Sequence, residues 1–198
     1  MKTIEFEGQL RSNLGKSSSN ELRKEGRIPC VVYGNGENLH FTTTALEIRD
    51  LIYTNELRKA SIKLGDKTVE AIVKEVQYHP VTDKILHIDF QAIVAGQTLK
   101  TEVPIRLVGN SKGQKVGGTL VQKMRKLKVL IQPESLCAYI AADVTPLDLG
   151  KSMRVRDIQI AEGIEIMTNG SIPVASIEIP RALRSAQSKA AADAKAKK

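Results

Sequence analysis

Gln77-Tyr78-His79-Pro80-Val81-Thr82-Asp83-Lys84-Ile85-Leu86-His87-Ile88-Asp89-Phe90 is the stretch on which the fold turns. Residues 67–78 before it and 84–94 through it are rich in β-branched and aromatic side chains, while His79-Pro80-Val81-Thr82-Asp83 is turn chemistry. Two strands joined in a hairpin follow. On the second strand the two-residue period puts His87 and Asp89 on one face with Ile85, and Leu86, Ile88 and Phe90 on the other. The hairpin brings Gln77 beside His87 and Asp89.

Working outward, residues 3–11 alternate, with Ile4, Phe6, Gly8 and Leu10 on one face and Arg11 on the solvent side. Ser12 to Asn20 is a small polar loop running into a short helix over residues 21–26, ended by Gly26 and capped by one of the serines or Asn20. Ile28-Pro29-Cys30-Val31-Val32-Tyr33-Gly34 is a buried strand opened by proline, and Asn35-Gly36 is a hairpin-type turn. Thr42-Thr43-Thr44 is expected to cap a helix over residues 45–53, with Leu46, Ile48, Leu51 and Ile52 as its apolar stripe. Residues 60–64 form another strand.

A boundary falls near Ala95-Gly96-Gln97, and beyond it strands are expected over 99–108, 126–131, 164–167 and 172–179, with at most a helical turn at 133–136. The fold class is mainly β with short helices: an N-terminal antiparallel β-barrel over 1–94, then a second β-rich domain over 95–180. Residues 181–198, almost entirely Ala, Lys, Ser, Asp and Gln, cannot support a core and are expected to form a mobile tail.

The net charge of +8 favours a polyanionic partner. Its distribution matters more. Residues 1–94 hold thirteen basic and thirteen acidic side chains, whereas 95–198 hold seventeen and nine. If the first half binds RNA, locally arranged groups must do it. Cys30 and Cys137 stand far apart without metal-ligand spacing and are expected to be reduced and buried. No apolar run is long enough for a membrane helix, and the opening residues do not have the pattern of a signal peptide, so a cytosolic protein is expected.

No phosphate-binding glycine pattern or nucleophile elbow appears, so catalysis has little support. The face of Gln77, His87 and Asp89 offers an amide and an imidazole that both donate and accept, and a carboxylate that accepts from a base amino group. His79 and His87 stand open between structural hydrogen bonding and recognition. A metal-dependent hydrolase using His79, Asp83, His87 and Asp89 is the rival reading. Arg11, Lys16, Arg23, Lys24 and Arg27 flank small residues that let backbone groups approach phosphates, although Glu21 and Glu25 dilute the run. Tyr33 is either core or a contact to nucleic acid. Lys112, Lys115, Lys123, Arg125, Lys126 and Lys128 suit unspecific phosphate contact or plain solubility.

Leu22-Arg23-Lys24-Glu25-Gly26-Arg27-Ile28-Pro29-Cys30-Val31-Val32-Tyr33-Gly34, together with Val76-Gln77-Tyr78-His79-Pro80 and His87-Ile88-Asp89-Phe90, resembles the bacterial large-subunit ribosomal protein number twenty-five in its long form, the general stress protein CTC type. The resemblance spans about residues 1–180. It implies a non-catalytic structural component of the large ribosomal subunit, cytoplasmic and ribosome-associated, without a cofactor or small-molecule substrate. The implied partners are 5S rRNA and neighbouring rRNA and ribosomal proteins. The RNA region implied is one whose non-Watson-Crick pairs widen a groove that A-form RNA keeps too narrow for side chains. By position, the implied RNA contacts are Arg11, Lys16, Ser19, Asn20, Arg23, Tyr33, Gln77, His87 and Asp89. Asn20-Glu21 stands where many relatives carry a basic pair, and Tyr78 where they often carry arginine. A stress-induced module acting away from ribosomes is a further alternative.

Overall fold

The computed structural model describes residues 1–34, 36–65 and 67–181. The chain divides into two compact units: Met1–Pro104 with Val129–Tyr139 and Glu162–Glu165, and Ile105–Lys128 with Ile140–Ala161 and the described residues that follow Glu165. The tail expected over 181–198 lies, past Arg181, outside the described residues.

The first unit is built on strands β1 (Thr3–Glu7), β2 (Gln9–Leu10), β3 (Arg27–Tyr33), β4 (Leu39–Thr44), β5 (Lys59–Leu64), β6 (Lys67–Tyr78) and β7 (Ile85–Ala92), with helices α1 (Lys16–Lys24) and α2 (Arg49–Ile52) between them. Their order in the sheet is β1-β5-β6-β7-β3-β4-β2. The two edge strands are one stretch of chain, bent at Gly8: β1 pairs with β5 on one side, and β2 pairs with β4 on the other. The sheet therefore curls round as a barrel whose two ends are joined through one bent stretch of chain. Most pairings are antiparallel, but β1–β5 and β3–β7 run parallel.

All three phenylalanines of the chain meet inside: Phe6, Phe41 and Phe90 have ring centroids 5.7 to 6.4 Å apart in tilted arrangements. Cys30, Val32, Ile62, Ala71 and Ile88 complete the filling, and Ile48 and Leu51 are buried with them. Gly8 is required where the chain bends. A Cβ there would stand 2.6 Å from a Phe41 ring carbon and 2.7 Å from a Leu64 methyl.

Four local expectations change. Alternation along residues 3–11 holds only to Gly8; Leu10 is exposed beyond the bend and Arg11 is half-buried. Helix α1 begins at Lys16, so Ser17, Ser18 and Ser19 are helical residues rather than a loop, and Gly15, not a serine or Asn20, is its N-cap. Thr42-Thr43-Thr44 ends strand β4, as β-branched residues favour, and the helix shrinks to one turn with Leu46 exposed. Cys30 is buried as expected, but Cys137 is only partly so. The threonines do not cap α2, whose N-cap is Ile48 without a side-chain bond; instead the Thr43 and Thr44 hydroxyls and the Thr44 N–H all donate to one Glu47 carboxylate oxygen. Burial pushes that carboxyl up, but these donors and nearby Arg27 outweigh it and hold it below the usual glutamate range.

The second half supplies β8 (Leu99–Val108), α3 (Lys112–Lys115), β9 (Thr119–Gln122), β10 (Lys126–Ile131), β11 (Ile140–Asp143), β12 (Ser152–Arg154), β13 (Ile164–Ile166) and β14 (Pro173–Glu178). They form a four-stranded sheet, β11-β8-β10-β13, and a three-stranded sheet, β12-β14-β9. A 3-10 turn at Pro133–Ser135 takes the place allowed for a helical turn. Ser111 and Gln114 make a reciprocal capping box at α3.

Two outcomes test this description. Gly8→Ala should lower unfolding free energy by about 1–3 kcal/mol, since overpacking at a closure point cannot relax outward; urea denaturation measures it. Glu47→Gln should lower Tm at neutral pH. A depressed carboxyl pKa contributes stability above its unfolded value, lost as pH falls through the folded one, so the Tm gap between mutant and wild type should close in acid.

Candidate nucleic-acid interface

Strand β7 sorts its side chains by face. Ile88, Phe90 and Ala92 are buried in the barrel, and His87, Asp89 and Gln91 stand half-exposed outside. Gln77 of β6 pairs directly with His87, and Glu75 with Asp89, so these side chains share the outer face. On the other side Val31 of β3 pairs with Asp89 and Tyr33 with Gln91. The structure thus brings Gln77, His87, Asp89 and Tyr33 onto one open strand surface. Ile85 is the exception to simple alternation. It is buried rather than sharing the face of His87 and Asp89, because the β6–β7 register shifts between Gln77 and Tyr78, which pairs with Ile85.

The imidazole Nδ1 of His87 lies 2.7 Å from Asp89 Oδ1, with both side chains 28% exposed. When this nitrogen donates to the carboxylate, the neutral ring presents its other nitrogen outward as an acceptor. Asp89 keeps a second oxygen for an outside donor. The Tyr33 hydroxyl is held protonated well into alkaline conditions, first by burial and then by the Asp89 and Glu75 carboxylates, so it remains a donor. Burial above all, with Asp89 next, pushes the Cys30 thiol up, while Arg11 pulls it the other way. Lys74, at a second shift in the β6–β7 register, donates to Gln91 Oε1 at 3.3 Å and to the Lys100 carbonyl oxygen. It thereby turns the Gln91 amide nitrogen away from itself as a donor.

The remaining expected residues lie before and along α1. Arg11 donates through Nη2 to the Asn13 carbonyl oxygen at 3.1 Å and to Ser19 Oγ at 3.3 Å, while its buried Nε has no partner among the described residues. Arg23 donates from Nε to the Leu86 carbonyl oxygen at 3.1 Å and from Nη1 to Asn20 Oδ1 at 3.2 Å. Arg23 is therefore the tether between α1 and β7. Lys16 is exposed at the start of α1 and makes no hydrogen bond or ion pair among the described residues.

His79 belongs to the turn. Its Nδ1 accepts from the Val81 and Thr82 N–H groups at 3.3 Å, and its backbone brackets the turn through Lys84 and Asp83. Asp83 takes a positive φ of 53° there. The four residues of the rival metal reading do not gather: among the described residues no three His, Cys, Asp or Glu side chains are placed to hold one ion. Nor is any described helix long and apolar enough to cross a membrane. Sequence reasoning did not single out Gln91 on β7 or His40 on β4, both of which stand half-exposed on this sheet. Gln91 continues the alternation of His87 and Asp89 and could have been found by extending it; His40 was hidden because strand β4 itself was not anticipated.

Closure, core and face together define a β-barrel protein whose chemistry sits on an open strand surface. Residues 6–90 match the Ribosomal L25p family, and residues 98–181 match the C-terminal domain of ribosomal protein TL5. The chain is 38% identical to the large ribosomal subunit protein bL25 of Cytophaga hutchinsonii over 191 residues, covering 96% of this chain and 99% of that one. It is 39% identical to bL25 of Amoebophilus asiaticus over the full length of both, and 37% to that of Phocaeicola vulgatus over 94% and 97%. The chain belongs to the bL25 family of large-subunit ribosomal proteins in its long form, a family of structural proteins and not of enzymes.

Replacing Arg23 by Ala should free α1 from β7. Amide hydrogen exchange in Lys16–Lys24 should accelerate, while exchange in β3, β6 and β7 stays near wild type.

Proposed function

We propose that this chain is a structural component of the large ribosomal subunit that binds 5S rRNA through the outer face of its barrel. Residues 1–94 form the RNA-binding domain, and residues 95–180 brace neighbouring rRNA and ribosomal proteins through basic loops. The protein works in the cytoplasm, on the ribosome. The observation that carries the reading is the joining of Gln77, His87 and Asp89 on one solvent-facing strand surface by direct pairing.

The chemistry follows from what each group can exchange. Asp89 accepts from a base amino group, the Gln77 amide can both donate and accept, and His87 offers its outward nitrogen. Such contacts need a groove widened by non-Watson-Crick pairs, which sets the RNA apart from an ordinary duplex. Lys16, without a protein partner among the described residues, supplies phosphate contact. Arg11, Ser19, Asn20 and Arg23 form a hydrogen-bonded support that also meets the RNA, and Tyr33 donates its hydroxyl.

A gel-shift titration with 5S rRNA at two salt concentrations, against a duplex of equal length, tests this. Lys16→Ala should weaken binding to both RNAs and reduce the salt slope by about one. Lys16 is the cleaner phosphate probe, because Arg23 also holds α1 in place. Asp89→Ala should cost about 1–3 kcal/mol on 5S rRNA and little on the duplex. Unchanged discrimination in Asp89→Ala would remove the base-reading role. Recovery of the protein only in light fractions of a sedimented extract would favour a module working off the ribosome.

A further inference from the structure

One row of the barrel connects two of the residues discussed above through a third that neither motif contains. Asp89 pairs with Val31, and Val31 pairs with His40 of β4. Strand β2 continues the row: Gln9 pairs with Thr42, Leu10 with Phe41, and one step on, the Arg11 N–H donates to the His40 carbonyl oxygen at 3.0 Å. Directly paired residues stand on the same face. Arg11, His40, Val31 and Asp89 therefore form a single row across the outside of the barrel, with Glu75 next to Asp89 at its end.

Burial agrees with this register on β3, β4 and β7, while on the short edge strand β2 Leu10, the partner of buried Phe41, is exposed. Cys30, Phe41, Ile88 and Phe90, the chain neighbours of the row, are buried inside, whereas His40, Val31 and Asp89 are all half-exposed. Neighbouring strands lie about 4.8 Å apart, so Arg11 and Asp89 are separated by roughly 14 Å of sheet. A ligand in contact with both must cross His40 and Val31. Val31 can offer it only an apolar surface. His40 can donate and accept, and its ring makes no hydrogen bond or ion pair among the described residues.

We propose that His40 is a specificity-determining residue of the RNA interface, hydrogen-bonding a nucleobase edge midway between the contacts of Arg11 and Asp89. The inference rests on the outer face being the RNA-binding surface. Metal ligation is disfavoured by the neighbours in the row, since neither Arg11 on one side of His40 nor Val31 on the other is a metal ligand.

The test uses the full chain carrying His40→Leu, His40→Gln or Asp89→Ala, titrated with 5S rRNA and with the duplex of equal length. His40→Leu keeps much of the volume and removes the hydrogen bonds; it should weaken 5S binding roughly 5- to 100-fold and duplex binding hardly at all. His40→Gln, which can still donate and accept, should recover part of that loss, and it serves as the probe if the leucine variant folds poorly. Wild-type 5S affinity in His40→Leu, alongside lost discrimination in Asp89→Ala, would overturn the assignment of His40 and leave the interface standing. Equal losses on both RNAs would also overturn it. Discrimination retained by both variants would bring down the interface, and the role of His40 with it.

Discussion

The barrel depends on one steric constraint: at Gly8 the first strand must turn between two partners while Phe41 and Leu64 fill the space a side chain would need. That bend lets one segment pair with β5 before it and β4 after it, closing the sheet. Closure is what gives the molecule a distinct inside and outside. Inside, the contacts of Phe6, Phe41 and Phe90 fix the cross-section, so each strand's register is set by which residues must point at those rings. A one-residue slip of β7 would send Phe90 to solvent and Asp89 into the core. The polar outer face and the aromatic core are thus a single specification, written in one two-residue period.

Departures from that period are placed where they shape the surface. The β6–β7 register shifts twice, between Val73 and Glu75 and between Gln77 and Tyr78. The first lies at Lys74, whose amine reaches Gln91 and Lys100. The second lets Ile85 return to the interior although His87, two residues on, faces out. Between the shifts, Glu75 and Gln77 are matched to Asp89 and His87, so the polar group is confined to the regular part of the ladder. Extra residues in a ladder re-aim side chains in this way, and here they bound the face at both ends.

The hairpin and the strands around it could be read from sequence because their signal is strong: long β-branched alternation punctuated by Pro80 and by Gly65. The sides assigned to His87, Asp89, Ile88 and Phe90 follow directly from it. Ile85 and Leu10 were misplaced for a common reason, since alternation carries no mark of a register shift or of a bend at a glycine. The triple threonine misled because Ser and Thr cap helices as readily as they end strands; Glu47 settles the matter by collecting the threonine donors itself. That error concealed β4, and with it His40. Helix α1 was placed too late because serines lower helix propensity, whereas in the structure Arg11 and Arg23 bind Ser19 and Asn20 and hold the segment in place. Strands β9, β11 and β12 are three or four residues long, too short for any periodicity to show.

Charge explains why so much rests on alignment. With equal numbers of acids and bases in residues 1–94, a polyanion gains little from the long-range field of that half, and the excess lies entirely in residues 95–198. On the proposed RNA-binding reading, short-range hydrogen bonds carry discrimination, and they do so only if the donors and acceptors are fixed before the partner arrives. A strand face provides that. Its side chains repeat about every 6.8 Å along a strand and about every 4.8 Å across the sheet, on a backbone that the filled barrel keeps from moving. Asp89 illustrates the arrangement: one oxygen holds the His87 ring, and the other makes no hydrogen bond or ion pair among the described residues. A more basic surface would bind more kinds of RNA, but it would give up the selectivity that a neutral, pre-ordered face can offer.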